Sequence, residues 1–444
     1  MGVIISKPRK PNIMKRIGIF VIVFFLLGIF LNGCTDDCDS RLYYTYLSPV
    51  YMTTQEIRDA FEYQKPIELS IPGKIYLFGN HLFVNEVGKG IHIINNADKR
   101  NPVNIGFINI PGNYDMAVKG NILYADNYID LLALDISNTN DVKLVKRLEG
   151  VFNDHYHYEF IDQNQEAVIV SYEEVDTTWY DNPDCGGVMP QFLRSEGGFI
   201  AFGGAMDAAA PNSAPPPSGL PTGIGGSMAR FAIVNDILYT IGSYNLGVFD
   251  ITTTFDPVFG NHVEIGWNIE TIFPYENNLF IGAQNGMYIY DISEPSAPEY
   301  MSTFAHVSSC DPVVVNDDYA FVTLRSGTVC EGFTNQLDVI DIGNLYNPYL
   351  VKSYPMKNPH GLGLDGDALF ICEGEWGLKI FNASDINTIT NNQIKHYTDM
   401  HSYDVIPFND NLIMIGRDGL YQYDYTSLEN IQLLSHLPIY NENQ

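Results

Sequence analysis

One short pattern returns along most of this chain: an apolar strand-like run closed by Asp or Asn, as in Leu337-Asp338-Val339-Ile340-Asp341. It can be read as Ile91 to Asn95, Leu131 to Asp135, Leu246 to Asp250, Met287 to Asp291, Leu378 to Asn382 and Leu420 to Asp424 as well. The closing positions 95, 135, 250, 291, 341, 382 and 424 lie 40, 115, 41, 50, 41 and 42 residues apart. A period near forty therefore dominates. The step of 50 is one period lengthened by a loop, Cys330 to Gln336, and the step of 115 reads as two periods plus an insertion of roughly 33 residues. Repetition at this period marks a propeller or a solenoid.

Each unit holds four short runs. In the second, Asp115 to Val118, Ile122 to Ala125, Leu131 to Ile136 and Lys143 to Leu148 follow one another, with Gly120-Asn121 at the first turn. Comparable pairs recur there as Gly79-Asn80, Asn235-Asp236, Asn277-Asn278, Asp317-Asp318, Gly366-Asp367 and Asp410-Asn411. Such residues tolerate positive φ and join antiparallel strands. Pro-bearing loops after the third run, such as Ser293 to Pro298 and Asn344 to Pro348, stop a longer strand. One four-stranded meander cannot bury both faces, whereas a radial set of them can. The expected fold is all-β: a propeller of four-stranded blades, eight by preference with seven as the alternative, preceded by a short helix.

The pentapeptide resembles the signature of the LVIVD-repeat family, whose members are read as β-propellers. The resemblance covers nearly everything after residue 70 and departs around Glu166 to Phe202, where only Phe199 to Gly203 remains as a degenerate copy. It implies an exported, surface-associated repeat protein of unassigned activity.

The start of the chain is an address label. Lys7, Arg9, Lys10, Lys15 and Arg16 precede an apolar run, Ile17 to Leu31, too short for a comfortable membrane span. Leu31-Asn32-Gly33-Cys34 resembles a bacterial lipobox, so residues 1–33 are expected to be a signal peptide and Cys34 the lipidated residue; the alternative is an ordinary signal peptide with Cys34 in a disulfide. The acidic Thr35 to Asp39 that follows is either an outer-leaflet export signal or a solvated tether. An outer-membrane lipoprotein, on the periplasmic or cell-surface face with the surface preferred, is the expected location. Residues 34–65 then serve as tether and helix, because Thr53-Thr54-Gln55-Glu56 reads as a capping box opening a helix to about Gln64 with Ile57 and Phe61 on one face. The propeller is expected over 66–440, with insertions at about 173–197 and 203–226. Leu69 to Gly73 echoes the end of a fourth strand and is a candidate for closing the ring by pairing with the last units.

Composition narrows the partners. The chain of 444 residues carries 53 acidic against 24 basic residues, a net charge of −29, and all five basic residues of the signal leave with it. Such a field repels nucleic-acid backbones and anionic membranes, so no nucleic acid is expected as a partner. The 29 Tyr and 25 Phe are read first as inter-blade packing and only second as a carbohydrate-stacking surface. A lipid-tethered monomer with a protein or glycan partner is the expectation.

Aligning the units puts one residue of each at the start of its first strand: Lys74, Asp115, His157, Arg230, Glu270, Asp311, His360 and Asp404. In a propeller these surround the mouth of the axial channel. Nearly all are ionisable in a chain only 17% charged, which points either to interleaved charges satisfying one another or to a ligand-binding ring. The loops between second and third strands fall at the same end, as does the Gly226-Ser227 end of the glycine-rich insertion. Cys310 and Cys330 are brought near each other there and are expected to form a disulfide, while Cys372 reads as a small core residue. His155, His157 and His360 could in principle hold a metal, but no nucleophile elbow, HExxH helix, phosphate loop or CxxC pair is present, so no cofactor or metal is expected and no catalytic residue is assigned. The leading reading is a binding and display platform; the alternatives are a polysaccharide- or peptide-directed lyase or hydrolase at the channel mouth, and a structural envelope component.

Overall fold

The computed structural model describes residues 41–152, 158–162, 165–180, 220–266, 268–306, 312–326 and 334–439. The chain divides into two compact units, residues 1–48 with 172–200 and residues 49–171 with 201–444. Strands Arg41–Thr53, Gln165–Tyr180 and Tyr158–Asp162 form a three-stranded sheet with the 165–180 strand in the middle.

The second unit is a propeller of seven four-stranded antiparallel blades. Blade 1 comprises Pro72–Phe78, His81–Glu86, Gly90–Asn95 and Val103–Asn109, and blade 2 Met116–Lys119, Ile122–Asn127, Asp130–Asp135 and Lys143–Leu148. Blade 3 comprises Phe231–Val234, Ile237–Ile241, Asn245–Asp250 and Val258–Glu264, and blade 4 Ile269–Tyr275, Asn278–Ala283, Gly286–Asp291 and Glu299–Ala305. Blade 5 is Val313–Val315, Tyr319–Leu324, Gln336–Asp341 and Tyr349–Pro355, and blade 6 Leu362–Asp365, Ala368–Cys372, Leu378–Asn382 and Gln393–Tyr397. Blade 7 closes the series with Ser402–Phe408, Asn411–Gly416, Gly419–Asp424 and Gln432–Pro438. First strands of successive blades touch all the way round, and the first strand of blade 1 meets blade 7.

The count is thus seven, the smaller of the two expected. The 115-residue step holds no extra blade, because blades 2 and 3 are direct neighbours. What occupies it instead includes a strand of 16 residues, Gln165–Tyr180, which pairs with Arg41–Thr53 and Tyr158–Asp162 and with no blade strand. Within that strand Ala167 and Val168 are fully buried and residues 171–174 are exposed.

The repeated aspartate is a turn device. In all seven blades the side chain of Asn95, Asp135, Asp250, Asp291, Asp341, Asn382 or Asp424 accepts the backbone N–H two residues on, at 2.7–3.0 Å. This is the Asx geometry that bends a chain without a glycine. The residue between donates its N–H to the carbonyl of the turn joining strands one and two, again in every blade and at 2.7–3.0 Å. The two turns at that end of each blade are therefore tied together. Ser137 holds the Asp135 carboxyl below the usual range by its backbone N–H and hydroxyl, as Thr252 does for Asp250. In blades 4 and 7 the first turn falls one residue earlier than the sequence pairs suggest, with positive φ at Glu276 and at Asn409 and Asp410.

Aromatics wedge the blades apart at a fixed spacing. The third residue of the second strand is Phe83, Tyr124, Tyr239, Phe280, Phe321 or Phe370 in blades 1 to 6, each at most 1% exposed. Tyr124 and Tyr239 reach further: their hydroxyls donate to Thr254 O (2.7 Å) and Pro295 O (2.6 Å) in the next blade. In blade 7 the same position is Ile413.

Ring closure uses side chains, not the strand exchange expected of Leu69 to Gly73. Pro72–Phe78 is the first strand of blade 1 itself, and Leu69 packs in a cluster with Ile406, Ile413, Ile415 and Leu420 of blade 7. Across this seam Asn96 and Gln422 form a reciprocal, buried amide pair, Nδ2 to Oε1 at 3.0 Å and Nε2 to Oδ1 at 2.7 Å. Ser435 adds a hydrogen bond to Lys99 O at 2.7 Å.

Helix α1 (Thr54–Asp59) starts at the expected capping box, Thr53 with Glu56. It stops five residues short of Gln64, because Glu62–Gln64 instead adds a strand to the outer edge of blade 1. Ile57 is fully buried against Tyr128 and Ile129 of blade 2. Arg58 and Arg147 both bind the buried Asp130 carboxylate, at 2.8 and 3.0 Å, and fix the helix there.

The axial channel is crossed by the chain's own residues 221–229. Pro221 O accepts from Gly120 N and Gly223 donates to Val118 O on the inner strand of blade 2, while Ile224–Gly225 pairs with Leu77 and Tyr76 of blade 1. Ser227 Oγ then accepts from Leu362 N of blade 6 (3.1 Å), and Ala229 O from Ile272 N of blade 4 (2.8 Å). The end of the glycine-rich insertion is packed: Gly225, Gly226 and Ser227 are buried. Glycine is what allows it, since a Cβ on Gly223 would fall 2.2 Å from the Tyr76 ring.

Candidate functional site

Lys74, Glu270 and Asp404 lie near the start of the first strands of their blades, and Asp115, Arg230 and His360 one or two residues before theirs, all at the same end of the propeller. His157 and Asp311 lie outside the described residues, as do Cys34, Cys310 and Cys330, and the unit assigned to His157 contributes no blade.

Four of these residues form one connected charge network spanning blades 7, 1, 2 and 3. Lys74 Nζ lies 3.1 Å from Asp115 Oδ2, with side chains only 12% and 4% exposed. The same carboxylate accepts the backbone N–H of Arg230 and, at 3.0 Å, that of Phe231, so Asp115 pins the entry to blade 3. Beside it, Asp126 Oδ1 accepts three donors: Asn113 Nδ2, Tyr114 N and Asp115 N. Burial nonetheless pushes Asp126 up to about 6, helped by the neighbouring Asp115 charge and opposed by those backbone donors. Burial likewise lifts Asp404 well above the usual carboxylate range, against the pull of Val405 N–H and of Lys74. For Lys74 burial acts downward and Asp115 opposes it. This half of the ring interleaves charge and spends its hydrogen-bonding capacity on its own backbone.

The other side is built differently. Glu270 accepts from Gln284 Nε2 at 3.3 Å, within its own blade. His360, 4% exposed, sits between blades: Arg325 Nη1 lies 3.2 Å from its ring nitrogens, Asn358 Nδ2 lies 3.2 Å from Nε2, and Thr323 Oγ1 binds its carbonyl at 2.7 Å. Tyr403 packs 5.7 Å from His360 and 4.8 Å from His401, ring centre to ring centre. Outward of them the turn Glu373 to Gly377 carries Trp376, which is 45% exposed, with Lys357 Nζ 5.3 Å from its ring centre.

Arg325, Asn358, His401, Tyr403 and Trp376 were not among the residues singled out from sequence. A signal existed for the last: Gly374-Glu375-Trp376-Gly377 sets a tryptophan between two glycines, both of positive φ, where other units have short polar turns. Cys372 is fully buried, as a small core residue should be. Among the described residues no group of three His, Cys, Asp or Glu is arranged to hold a metal ion.

Fold and mouth together define a seven-bladed β-propeller with a charged inner ring, one half of it self-paired. Three of its blades match a known repeat: the family model described as "LVIVD repeat" matches residues 113–149, 271–305 and 309–355, which span blades 2, 4 and 5. No curated protein sequence matches the chain. Similar solved structures include the computationally designed Ika8 protein (11% identity, 85% of this chain and 92% of that one, TM-score 0.47). BamB from Moraxella catarrhalis is similar at 10% identity over 85% of this chain and 97% of that one, with a TM-score of 0.43. Similarities at this level carry no argument.

Proposed function

We propose that this protein is a lipid-anchored binding and display platform of a bacterial outer membrane, tethered through Cys34 and offering its mouth face to a protein or glycan at the cell surface. The observation that carries the reading is the occupied channel. Residues 221–229 run along the propeller axis and fill it, and the loops joining second to third strands stand at the end where that segment reaches Ser227. A rigid scaffold with variable loops at one end is a form suited to recognition. The two halves of the ring then divide the work: Lys74, Asp115, Arg230 and Asp404 hold the blades in register, and the sector with Glu270 and the enclosed His360 supports the face offered for contact.

The test is a pull-down from intact cells with the lipidated protein, compared with a Glu270→Ala/Asp311→Ala/His360→Ala variant of matched stability. Partners lost with the triple variant support the reading. Identical partners for both would remove the ring from the site, and a Cys34→Ser protein still in the membrane fraction would remove the anchor.

A further inference from the structure

Trp376 is the only tryptophan whose side chain falls among the described residues, and it is displayed rather than buried. Tyr244, Phe255, Tyr300, Tyr346 and Tyr349 are as exposed or more so, and what sets Trp376 apart from them is the Lys357 ammonium over its ring. The turn is held from every side. Trp376 N donates to Glu373 O (3.0 Å), Gly377 N to Gly374 O (2.9 Å) and Glu373 N to Gly377 O (2.8 Å), while Gly374 exchanges both backbone hydrogen bonds with Ser402 of blade 7 at 3.0 Å. A ring nitrogen of His396 contacts Trp376 O at 2.7 Å.

One buried residue organises the surroundings. Glu373, fully buried, accepts Lys357 N on Oε1 at 2.9 Å and pairs with Lys379 through Oε2, while its carbonyl anchors Trp376. Lys357 and Trp376 are thereby set side by side, with the ammonium over the indole. The exposed Glu375 lies next in the turn, and Asn358 leads inward to His360. The aromatic plane thus has a cation over it, an acidic residue next to it in the turn, and an amide beside Gly374 of the same turn.

Resting on the platform reading above, we infer that this shelf on blade 6 stacks a sugar ring, and that the ligand class is a neutral or amino-sugar glycan. A pyranose presents a flat C–H face the size of the indole and a rim of hydroxyls for Lys357, Glu375 and Asn358. Protein hot spots are instead bedded in desolvated apolar surroundings, and the exposed neighbours here are Glu375, Lys357, Thr398 and Asp399. The chain's net charge of −29 disfavours acidic polysaccharides.

The inference is tested by electrophoresis of the full-length protein through native gels cast with a soluble β-glucan, an α-glucan, a mannan or a xylan. Wild type should be retarded in at least one of them; Trp376→Ala should weaken that retardation at least tenfold, Trp376→Phe should retain part of it, and Phe255→Ala, at a distant exposed aromatic, should leave it unchanged. Thermal melts of each variant confirm folding. No retardation of wild type in any gel, or equal retardation of wild type and Trp376→Ala, overturns the inference. A cell-surface pull-down separates this failure from that of the platform: captured material destroyed by protease but resistant to periodate rejects the glycan and keeps the platform, whereas capture no greater than on bare resin rejects the platform itself.

Discussion

The seam between blades 7 and 1 and the six seams inside the ring do the same task with different chemistry. Inside, an aromatic on the second strand is driven fully into the interface, and two of the tyrosines also hydrogen-bond the following blade. At the closing seam the wedge shrinks to Ile413, and an amide pair takes over the link from one blade to the loop of the next. Both partners break the repeat: Asn96 stands where other blades have Ile, Ala or Tyr, and Gln422 where they have Val, Ile or Ala. Apolar wedges are strong but indiscriminate. A buried polar pair contributes less but is directional: Gln422 bonds Asn411 and Ser435 within its own blade and turns its amide to Asn96 across the seam, which suits the one junction that must form between distant ends of the chain.

Breaking an internal seam should have the largest effect. Phe280→Ala empties a fully buried ring site and should cost about 4 kcal/mol in denaturant melts; a loss under about 1 kcal/mol would show that the wedge is not what holds the blades. Next comes the closing seam, where Gln422→Ala strands the Asn96 amide and should cost about 2–3 kcal/mol. Restoring the internal pattern with Asn96→Ile and Gln422→Val together should recover most of that, and a double variant as unstable as the sum of its parts would refute the pairing.

A pH series distinguishes the seams further. Burial works against the Glu86 charge, but hydrogen bonds from His92, Ser70 and Ile71 N overcome it and hold the carboxyl at about 2, with Lys89 3.5 Å away. Glu86 fastens the segment leading from Leu69 into blade 1. Its folded value is depressed, so its stabilisation is complete above the ordinary carboxylate range and drains away as pH falls toward 2. Glu86→Gln should therefore cost about 2 kcal/mol at pH 7 and almost nothing near pH 2, while the cost of Phe280→Ala should not change with pH. The smallest effect is expected of Tyr239→Phe, which removes one hydroxyl bond to Pro295 O and should cost about 1 kcal/mol; chemical denaturation of the pair resolves it.

How much of this was legible depended on whether a residue spoke locally. The Asp at the end of each unit acts within two residues, so spacing alone located every blade that exists, and the capping box placed the start of α1. The helix end was hidden because Glu62–Gln64 answers to blade 1, not to its own propensity. Dividing 115 by the period suggested an additional blade, since arithmetic cannot tell a blade from a long strand paired elsewhere. The ring of first-strand residues was visible as a repeated position, yet the difference between its self-paired half and the sector near His360 depends on neighbours such as Asp126 and Arg325 that lie on other strands. Residues 221–229 carry only Ile224, Met228 and Ala229 among glycines and show no alternating apolar pattern, because the glycines fit the channel by being small. Asn96 and Gln422 could have been paired from sequence, as two departures at the opposite ends of one repeat series.

The traverse of residues 221–229 also constrains the order of assembly. That segment lies against blades 1 and 2, which the ribosome delivers first, and it reaches blades 4 and 6, which come later. It is an axle laid down before its wheel is complete. Blades 3 to 7 have to wrap around a hub already in position, so the chain's direction of synthesis and its direction of folding coincide, and the last event is the meeting of blade 7 with blade 1.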